Sequence, residues 1–231
     1  RVHHAINPEY IDKNYSQIFI FWDKIFGSFQ PELKEVPPVY GILRQAGTWN
    51  PVIINFKHLW QLIKDAWNAR RFIDKFIIWF MPTGWRPADV TEKFPLKIID
   101  NPYDQKKYCT ENSTPLLAWS WMQLIFALFF MFHLFIIMEN FSTQMVYIYA
   151  IFLILHIFTY TATLDGQKYA LITESLKLGM GLVLLSIQDF SWYGAGDVIT
   201  LGLSFYLLTS LGLTFYFLKK QIFPPTIVQS L

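Results

Sequence analysis

Four apolar stretches fill the second half of the chain, and each is close to the length of a membrane-spanning helix. A helix needs about 20 residues to cross the hydrocarbon core of a bilayer, because it rises about 1.5 Å per residue. The stretches cover residues 116–138, 145–163, 171–187 and 198–218. The first and fourth have this length, the second nearly has it, and the third is shorter and contains Glu174 and Lys177. The pattern predicts an all-α integral membrane protein with about four transmembrane helices.

The charges between these stretches favour four spans with both chain ends in the cytosol. Lys168 lies in the connection after the second stretch, and Lys219 and Lys220 follow the fourth. The opposite turns, 139–144 and 188–197, contain acidic residues but neither lysine nor arginine. Since cytosolic loops of membrane proteins are enriched in basic residues, this alternation predicts cytosolic N- and C-terminal ends.

Four polar residues inside the predicted spans are interpreted as contacts within the helix bundle. Glu174 and Lys177 lie one helical turn apart, which favours a mutually neutralising pair over a contact to a substrate or cofactor. His133 and His156 lie in adjacent spans, at depths that differ by roughly 9 to 10 Å at 1.5 Å per residue. We therefore expect each to hydrogen-bond to another helix rather than to share a metal.

The first half of the chain predicts shorter and more polar elements. Apolar residues at 18, 19, 21, 22, 25 and 26 have helical spacing and are followed by Gly27, so they predict a short helix that ends there. Proline, glycine and mixed charge predict a connecting loop over 30–50 and a soluble linker over 82–112. On this basis we divide the chain into an N-terminal segment, 1–112, and a membrane extension, 113–231.

An amphipathic helix is predicted from Pro51 to about Met81, where apolar residues recur at intervals of three and four. Tryptophans on this segment favour the headgroup layer of a membrane, and basic residues are available for anionic lipid. A helix packed on its own domain would have the same pattern. His58 lies among the polar residues of this segment and is predicted to be a surface residue.

Composition agrees with a membrane protein and limits the chemistry that the chain can carry. Of its 231 residues, 53% are hydrophobic and 19% are aromatic, which is high for a soluble protein. The only cysteine is Cys109, which excludes an internal disulfide framework and a cysteine-rich zinc site. A bound metal would therefore be held by histidine and carboxylate.

The candidate chemistry lies at the start of the chain, where His3 and His4 are adjacent in a protein with five histidines. Two neighbouring imidazoles can bind one metal or a metal pair when the backbone turns between them. Two solvated histidines at a chain end would look the same, and the sequence contains no second ligand cluster. The chain begins at Arg1 rather than at methionine, which predicts a piece of a longer protein.

The residues around this pair resemble the last histidine box of the fatty acid hydroxylase and sterol desaturase superfamily. In that box, His-x-x-His-His is followed by Asn-Tyr, then by Trp-Asp and Phe-Gly. The corresponding elements here are Arg1-Val2-His3-His4, Asn14-Tyr15, Trp22-Asp23 and Phe26-Gly27. Within the superfamily, these residues and the long helical extension are most similar to the alkylglycerol monooxygenase family. The two earlier histidine boxes of the family are absent from this chain.

The resemblance implies a non-haem diiron monooxygenase of the endoplasmic reticulum membrane that uses O₂ and tetrahydrobiopterin. It would hydroxylate the ether-linked carbon of an alkylglycerol, and the resulting hemiacetal would split into a fatty aldehyde and a glycerol derivative. His3 and His4 would be iron ligands. The Tyr15 hydroxyl would either support an iron ligand or orient the substrate, whereas without the resemblance Tyr15 would be interpreted as a packed aromatic residue. Asn14 would be an outer donor that fixes the tautomer of a ligand. Asp12 and Asp23 would be supporting carboxylates, unless they serve as helix caps or solvated surface residues.

Two alternatives to this function are compatible with the residues. A sterol or sphingolipid hydroxylase of the same superfamily would depend on a cytochrome b5-type electron donor instead of a pterin. A non-catalytic membrane protein with four spans would retain only the fold and its interaction surfaces. The isolated chain contains too few ligands for a diiron centre, so we expect it to be inactive alone.

Overall fold

The computed structural model describes residues 1–222, and their regular secondary structure is helical. Within this range the only pairing of extended backbone is an isolated antiparallel bridge between Ala5 and Tyr40. The predicted all-α class is confirmed. The α-helices are α1 (Ile20–Phe26), α2 (Pro51–Asn68), α3 (Asp74–Ile77), α4 (Ala88–Lys93), α5 (Thr114–Ile137), α6 (Thr143–Leu164), α7 (Ala170–Ser186) and α8 (Asp197–Ile222).

The described residues form two compact units. The first, called unit 1 here, contains residues 1–47 and 57–109. The second, unit 2, contains residues 48–56 and the described residues from 110 onward. The division falls within α2, so the first turns of this helix are grouped with unit 2.

Three helices of unit 2, namely α5, α6 and α8, are long and apolar enough to cross a membrane. The third predicted span, 171–187, forms α7, which has 17 residues. At 1.5 Å per residue α7 is about 26 Å long, which is shorter than the roughly 30 Å hydrocarbon core. Consecutive helices pack against each other from α5 to α8, and α6 also contacts α8.

An aromatic core holds the four helices of unit 2 together. Phe130 of α5 and Phe152 of α6 are fully buried, and their rings make an edge-to-face contact with centroids 5.2 Å apart. Trp192, in the turn between α7 and α8, is also fully buried and donates from its indole nitrogen to the Tyr149 hydroxyl at 3.1 Å. The turn therefore inserts a side chain into the bundle instead of remaining on the surface.

The connection between α6 and α7 is anchored through the Asp165 carboxylate. It accepts hydrogen bonds from the backbone nitrogen of Trp49, at 3.0 and 3.1 Å, and from the Thr48 hydroxyl. The Asn50 side chain, which is fully buried, donates to the carbonyl of Phe158 at 3.0 Å. These contacts explain why residues 48–56 are grouped with the membrane helices.

In unit 1, the two helices predicted from apolar spacing are present, but one is much shorter than predicted. Helix α1 ends at Gly27, whose φ of 74° is the left-handed conformation that commonly ends a helix. Helix α2 begins at Pro51 as predicted, but it ends at Asn68 rather than near Met81. A short turn, α3, follows the break, so the prediction of one continuous helix is wrong.

Helix α2 ends early because groups beyond it provide partners for its final turn. The Lys75 ammonium donates to the carbonyl of Trp67 at 2.8 Å, which satisfies an acceptor that a longer helix would have bonded internally. The backbone nitrogen of Arg70 donates to the Asp89 carboxylate at 2.8 Å, so it is not available to continue the helix.

The segment 82–112, predicted as a soluble linker, is mostly exposed, but part of it is ordered and contacts other residues of unit 1. It contains α4, in which Val90 is buried. Arg86 lies just before α4 and forms a bidentate contact with Asp65 of α2, at 2.7 and 2.9 Å. The part of this segment around α4 is therefore folded against α2.

Candidate functional site

The predicted metal ligands lie on a short 3₁₀ turn, Val2–His4, at the edge of unit 1. Both imidazoles are exposed, and their ring centroids are 5.1 Å apart in an edge-on arrangement. Val2 is buried beneath the turn, and the backbone nitrogen of Ala5 donates to its carbonyl at 3.0 Å. The turn thus has an anchored apolar side and presents two neighbouring imidazoles on its other side.

The backbone beside the histidines is fixed to the segment 36–41. The amide of Gly41 donates to the carbonyl of His4 at 3.1 Å, and the amide of Ile6 donates to Val39 at 2.9 Å. The buried Asn7 side chain accepts from the amide of Val39 at 2.7 Å and donates to the carbonyl of Pro37 at 3.2 Å. This network limits the conformations available to the histidine turn.

Sequence reasoning did not identify Asn7 or Tyr10 as anchors of this site. The buried Tyr10 hydroxyl donates to the carbonyl of Val36 at 2.6 Å and accepts from the amide of Leu33 at 2.9 Å. A local signal was present at Asn7, since Asn-Pro frequently begins a turn. Nothing local predicted the partners of either side chain, because they lie more than 20 residues away.

Both polar atoms of the Asn14 side chain help to close the loop that contains α1. It exchanges two hydrogen bonds with the backbone of Gln30, at 2.8 and 2.9 Å, and its own amide donates to the carbonyl of Ser28 at 3.0 Å. Its φ of 55° lies in the left-handed region, which asparagine adopts more readily than most residues. The structure therefore gives Asn14 a positioning role, holding the backbone next to Tyr15.

Tyr15 projects from this loop with 59% of its surface exposed. Partial desolvation and then the neighbouring Asp12 carboxylate raise the pKa of its phenol, so the hydroxyl keeps its proton at neutral pH. Among the described residues, neither histidine of the turn is hydrogen-bonded to Asn14 or Tyr15. The structure thus places His3 beside His4, whereas Asn14 is bonded to Gln30 and not to either histidine.

The Trp22-Asp23 element of the motif also has a structural explanation. Asp23 is buried and accepts from the backbone nitrogen of Ser16 at 3.0 Å and from the Ser28 hydroxyl at 2.7 Å. Desolvation acts to raise the pKa of this carboxyl, but the hydrogen bonds outweigh it and hold the pKa below its usual range. Asp23 is therefore ionised, and its carboxylate connects the residues before α1 to those after it.

His4 lines an open cleft of about 740 Å³ in unit 1. The cationic residues Arg1 and Lys107 also line it, together with aromatic and amide side chains. Arg1 donates from Nε to the Tyr40 hydroxyl at 2.9 Å, which orients the guanidinium along one wall. A molecule in this cleft would contact one of the two predicted iron ligands and would meet positive charge.

The two histidines match the ligand type of a non-haem iron site, but they do not complete one. Within residues 1–222, no group of three or more His, Cys, Asp or Glu side chains is arranged to hold a metal ion. His3 and His4 can therefore supply two ligands of a larger set. The described residues alone do not fit a diiron centre.

The other histidines lie where the sequence predicted them. His133 of α5 is hydrogen-bonded to the Tyr149 hydroxyl of α6 at 3.0 Å. His156 of α6 is fully buried and is hydrogen-bonded to the carbonyl of Gln123 in α5 at 2.9 Å. Each joins two helices, as expected, and His58 is exposed on α2.

Glu174 and Lys177 form the predicted ion pair, with 2.7 Å between Nζ and the nearer carboxylate oxygen. Both side chains are fully buried. Helix α8 provides further partners, since Lys177 donates to the Ser210 hydroxyl at 2.9 Å and the Thr214 hydroxyl donates to Glu174 at 3.4 Å. The pair thus connects α7 to α8 in the interior of the bundle.

Comparison with known proteins is consistent with the resemblance of the histidine turn. The chain is 30% identical to human alkylglycerol monooxygenase over 184 residues, which is 80% of this chain and 41% of the human protein. The chain is homologous to part of alkylglycerol monooxygenase. It is 37% identical to the Caenorhabditis elegans alkylglycerol monooxygenase over 112 residues, covering 44% of this chain and 22% of that protein. It is 40% identical to the Danio rerio alkylglycerol monooxygenase over 92 residues, covering 38% and 19%.

This chain spans about two fifths of the length of the human alkylglycerol monooxygenase. No protein-family model and no solved structure matches the chain. Three helices of this chain have the length and apolar composition of membrane spans, so the matched region belongs to a membrane protein. The homologues' activity therefore belongs to proteins considerably longer than this chain.

Proposed function

We propose that the full-length protein is a non-haem diiron monooxygenase that cleaves the ether bond of alkylglycerols in the endoplasmic reticulum membrane, with both ends of this chain in the cytosol. The observation that supports this most strongly is an exposed His3-His4 pair on an anchored turn, in a chain homologous to alkylglycerol monooxygenase. The bound iron would activate O₂, and tetrahydrobiopterin would supply two electrons. One oxygen atom would enter the carbon–hydrogen bond next to the ether oxygen, and the other would leave as water.

In this proposal, His3 and His4 contribute two ligands, and the remaining ligands come from parts of the longer protein that this chain does not include. The anchoring of the turn by Val2 and Asn7 supports such a role, because metal ligands bind best when their orientation is fixed in advance. Exposure of both rings in the isolated chain leaves them accessible to further ligands.

Tyr15 and Asn14 have different roles in the proposed site. The protonated phenol of Tyr15 donates a hydrogen bond that orients the glycerol portion of the substrate. Asn14 acts through its contacts with Gln30, which hold the backbone from which Tyr15 projects. The hydroxylated carbon then carries two oxygen substituents, and loss of the glycerol oxygen from it releases the fatty aldehyde.

The membrane helices support a lipid substrate. An alkylglycerol places a long apolar chain in the bilayer and a small polar group at its surface. A membrane-anchored oxygenase can meet both parts of this molecule, and an environment that excludes water protects the oxidant from side reactions.

The test is release of fatty aldehyde from an alkylglycerol by the full-length protein, with and without tetrahydrobiopterin. We expect His3→Ala and His4→Ala to abolish the pterin-dependent activity while membrane insertion remains intact. His58→Ala is the matched control, because His58 is exposed on α2 and outside the proposed site, and it should retain activity. Full activity in either site variant would remove that histidine from the ligand set.

Two further outcomes would distinguish the alternatives. Hydroxylation of a sterol or sphingolipid that depends on a cytochrome b5-type donor would replace the pterin mechanism. The isolated 231-residue chain should bind fewer than two iron atoms, so iron analysis that gives two per chain would overturn our assignment of the missing ligands.

A further inference from the structure

The aromatic side chains of residues 57–81, in unit 1, are exposed to the outside of the unit. On α2, Trp60, Ile63 and Trp67 form a stripe at helical spacing, and all three are exposed. Trp67 keeps 83% of its surface exposed. A helix on the surface of a soluble protein normally buries such a stripe against its own core.

The side of α2 that faces unit 1 contains polar and charged groups instead. Asp65 is buried and pairs with Arg86, and it also accepts from Gln61 at 2.8 Å. The Lys57 ammonium donates to the backbone carbonyls of Gln45 and Ala46, at 2.6 and 2.7 Å. These contacts fix the rotation of the helix, so the aromatic stripe cannot turn inward without leaving the Asp65 charge unpaired.

The segment after α2 repeats this arrangement. Phe72, Phe76 and Phe80 recur every four residues and are exposed, and the rings of the first two are 5.1 Å apart. Phe80 keeps 89% of its surface exposed. Asp74 and Ile78 lie on the opposite side and are buried. Two consecutive segments therefore present large apolar side chains in the same way.

Within residues 57–81, the exposed charge has one sign, while the half-buried Asp89 carboxylate accepts from the backbone nitrogen of Arg70. The only acidic residues in 57–81 are Asp65 and Asp74, and both are buried. Lys64, Arg70 and Arg71 are exposed, and the Lys64 ammonium lies 5.6 Å from the centre of the Trp60 ring. Aromatic rings combined with mainly basic exposed charge match the interface of a bilayer that contains anionic lipids.

We propose that this aromatic-basic surface binds lipid, with its rings at the headgroup level of a leaflet that contains anionic lipids. The surface consists of Trp60, Ile63, Trp67, Phe72, Phe76 and Phe80, with Lys64, Arg70 and Arg71 around them. Unit 1 is covalently attached to three helices of transmembrane length and composition, so a bilayer is available to this surface. Tryptophan also favours the headgroup region, where its ring meets lipid and its N–H meets water. The inference concerns how unit 1 contacts the membrane and does not depend on the proposed catalytic activity.

Spin labelling of the 231-residue chain in lipid vesicles tests the proposal. Because Cys109 is the only cysteine, Cys109→Ser provides a background for single labels. Trp67→Cys and Phe80→Cys place labels on the surface without removing buried side chains. Glu35→Cys is the water-exposed control, and Ile125→Cys on α5 is the control for a lipid-exposed position in a candidate span.

In vesicles containing phosphatidylserine, we expect the labels at 67 and 80 to collide more with oxygen, and less with a water-soluble nickel chelate, than the label at 35. Because the headgroup level is shallower than position 125, their preference for oxygen should lie between those of the labels at 35 and 125. The label at 35 should collide preferentially with the nickel chelate. Replacing phosphatidylserine with phosphatidylcholine, or combining Trp67→Cys with Arg70→Gln and Arg71→Gln, should shift the label at 67 towards nickel.

Two results would overturn the proposal. Nickel accessibility at 67 and 80 equal to that at 35, in anionic vesicles, would show a solvated surface. Low accessibility to both reagents would show that protein covers the surface instead of lipid.

Discussion

Breaking the Glu174–Lys177 pair should destabilise the helix bundle far more than removing it completely. Both side chains are fully buried, and the charged atoms are 2.7 Å apart. Lys177→Met leaves a buried carboxylate, and Glu174→Gln leaves a buried ammonium. Removing one partner of a buried ion pair costs about 3–5 kcal/mol, because the remaining charge has lost its compensation. Since about 1.4 kcal/mol corresponds to a factor of ten, either variant should lower the folding equilibrium constant more than a hundredfold.

The double variant Glu174→Gln/Lys177→Met removes both charges together. Apolar or neutral replacement of a complete buried pair is often neutral or stabilising by about 1–4 kcal/mol. The hydroxyls of Ser210 and Thr214 lose charged partners but can bond to carbonyls of their own helix. We therefore expect the double variant to be close to the wild type, so the coupling energy should approach the sum of the two single losses, about 6 kcal/mol or more.

The free energy of unfolding can be measured by titration with a denaturing detergent in micelles, followed by circular dichroism. Lys168→Met, at an exposed position in the connection before α7, is the matched control and should change stability by less than about 0.5 kcal/mol. The reasoning would be refuted if both single variants matched this control. It would also be refuted if the double variant lost the sum of the two single losses.

Three further predictions follow from contacts in the two units. Asn14→Ala should destabilise unit 1 by about 2 kcal/mol, because it removes two hydrogen bonds to Gln30 and places alanine at a positive φ. Pulse proteolysis should detect this loss of stability. The control Tyr15→Phe should cost less than about 0.5 kcal/mol. Burial acts to raise the pKa of Asp65, but hydrogen bonds from Arg86 and Gln61 outweigh it and lower the pKa. The stabilisation by Asp65 is therefore complete above the unfolded pKa of about 3.9 and is lost as the pH falls through the folded value, so an acid titration of Asp65→Asn should lack this loss. Gly181→Val should destabilise the contact between α7 and α8, because a Cβ at this position would lie 2.6 Å from a methyl carbon of Leu207. The control is Gly179→Val, where a Cβ would have no atom within 4 Å. In the same detergent titration, the free energy of unfolding of the control should be closer to that of the wild type.

Local sequence patterns were sufficient for the features that depend on nearby residues. Helices α5, α6 and α8 follow from the length and apolar composition of their own segments, and neither property requires a tertiary contact. The end of α1 at Gly27 follows from the freedom of glycine at a positive φ. The Glu174–Lys177 pair follows from a spacing of three residues on one helix. The histidine turn was recognisable because its motif lies within 30 consecutive residues.

Only the tertiary structure decided the features that depend on distant partners. The break after Asn68 depends on Asp89 and Lys75, and periodicity continues through the break because the outward-facing aromatic residues keep helical spacing. The position of Arg86, just before α4, depends on its contact with Asp65, 21 residues away.

The same distinction separates the motif from its local geometry. The sequence marked Asn14 as part of a metal box, but in the structure both polar atoms of its side chain bond to Gln30, which no local rule connects to it. The structure also shows that Asp65 lies on the inner side of α2 and that the tryptophans lie on its outer side. An amphipathic pattern determines that a helix has two different sides, whereas the partner of each side is determined by long-range hydrogen bonds and ion pairs.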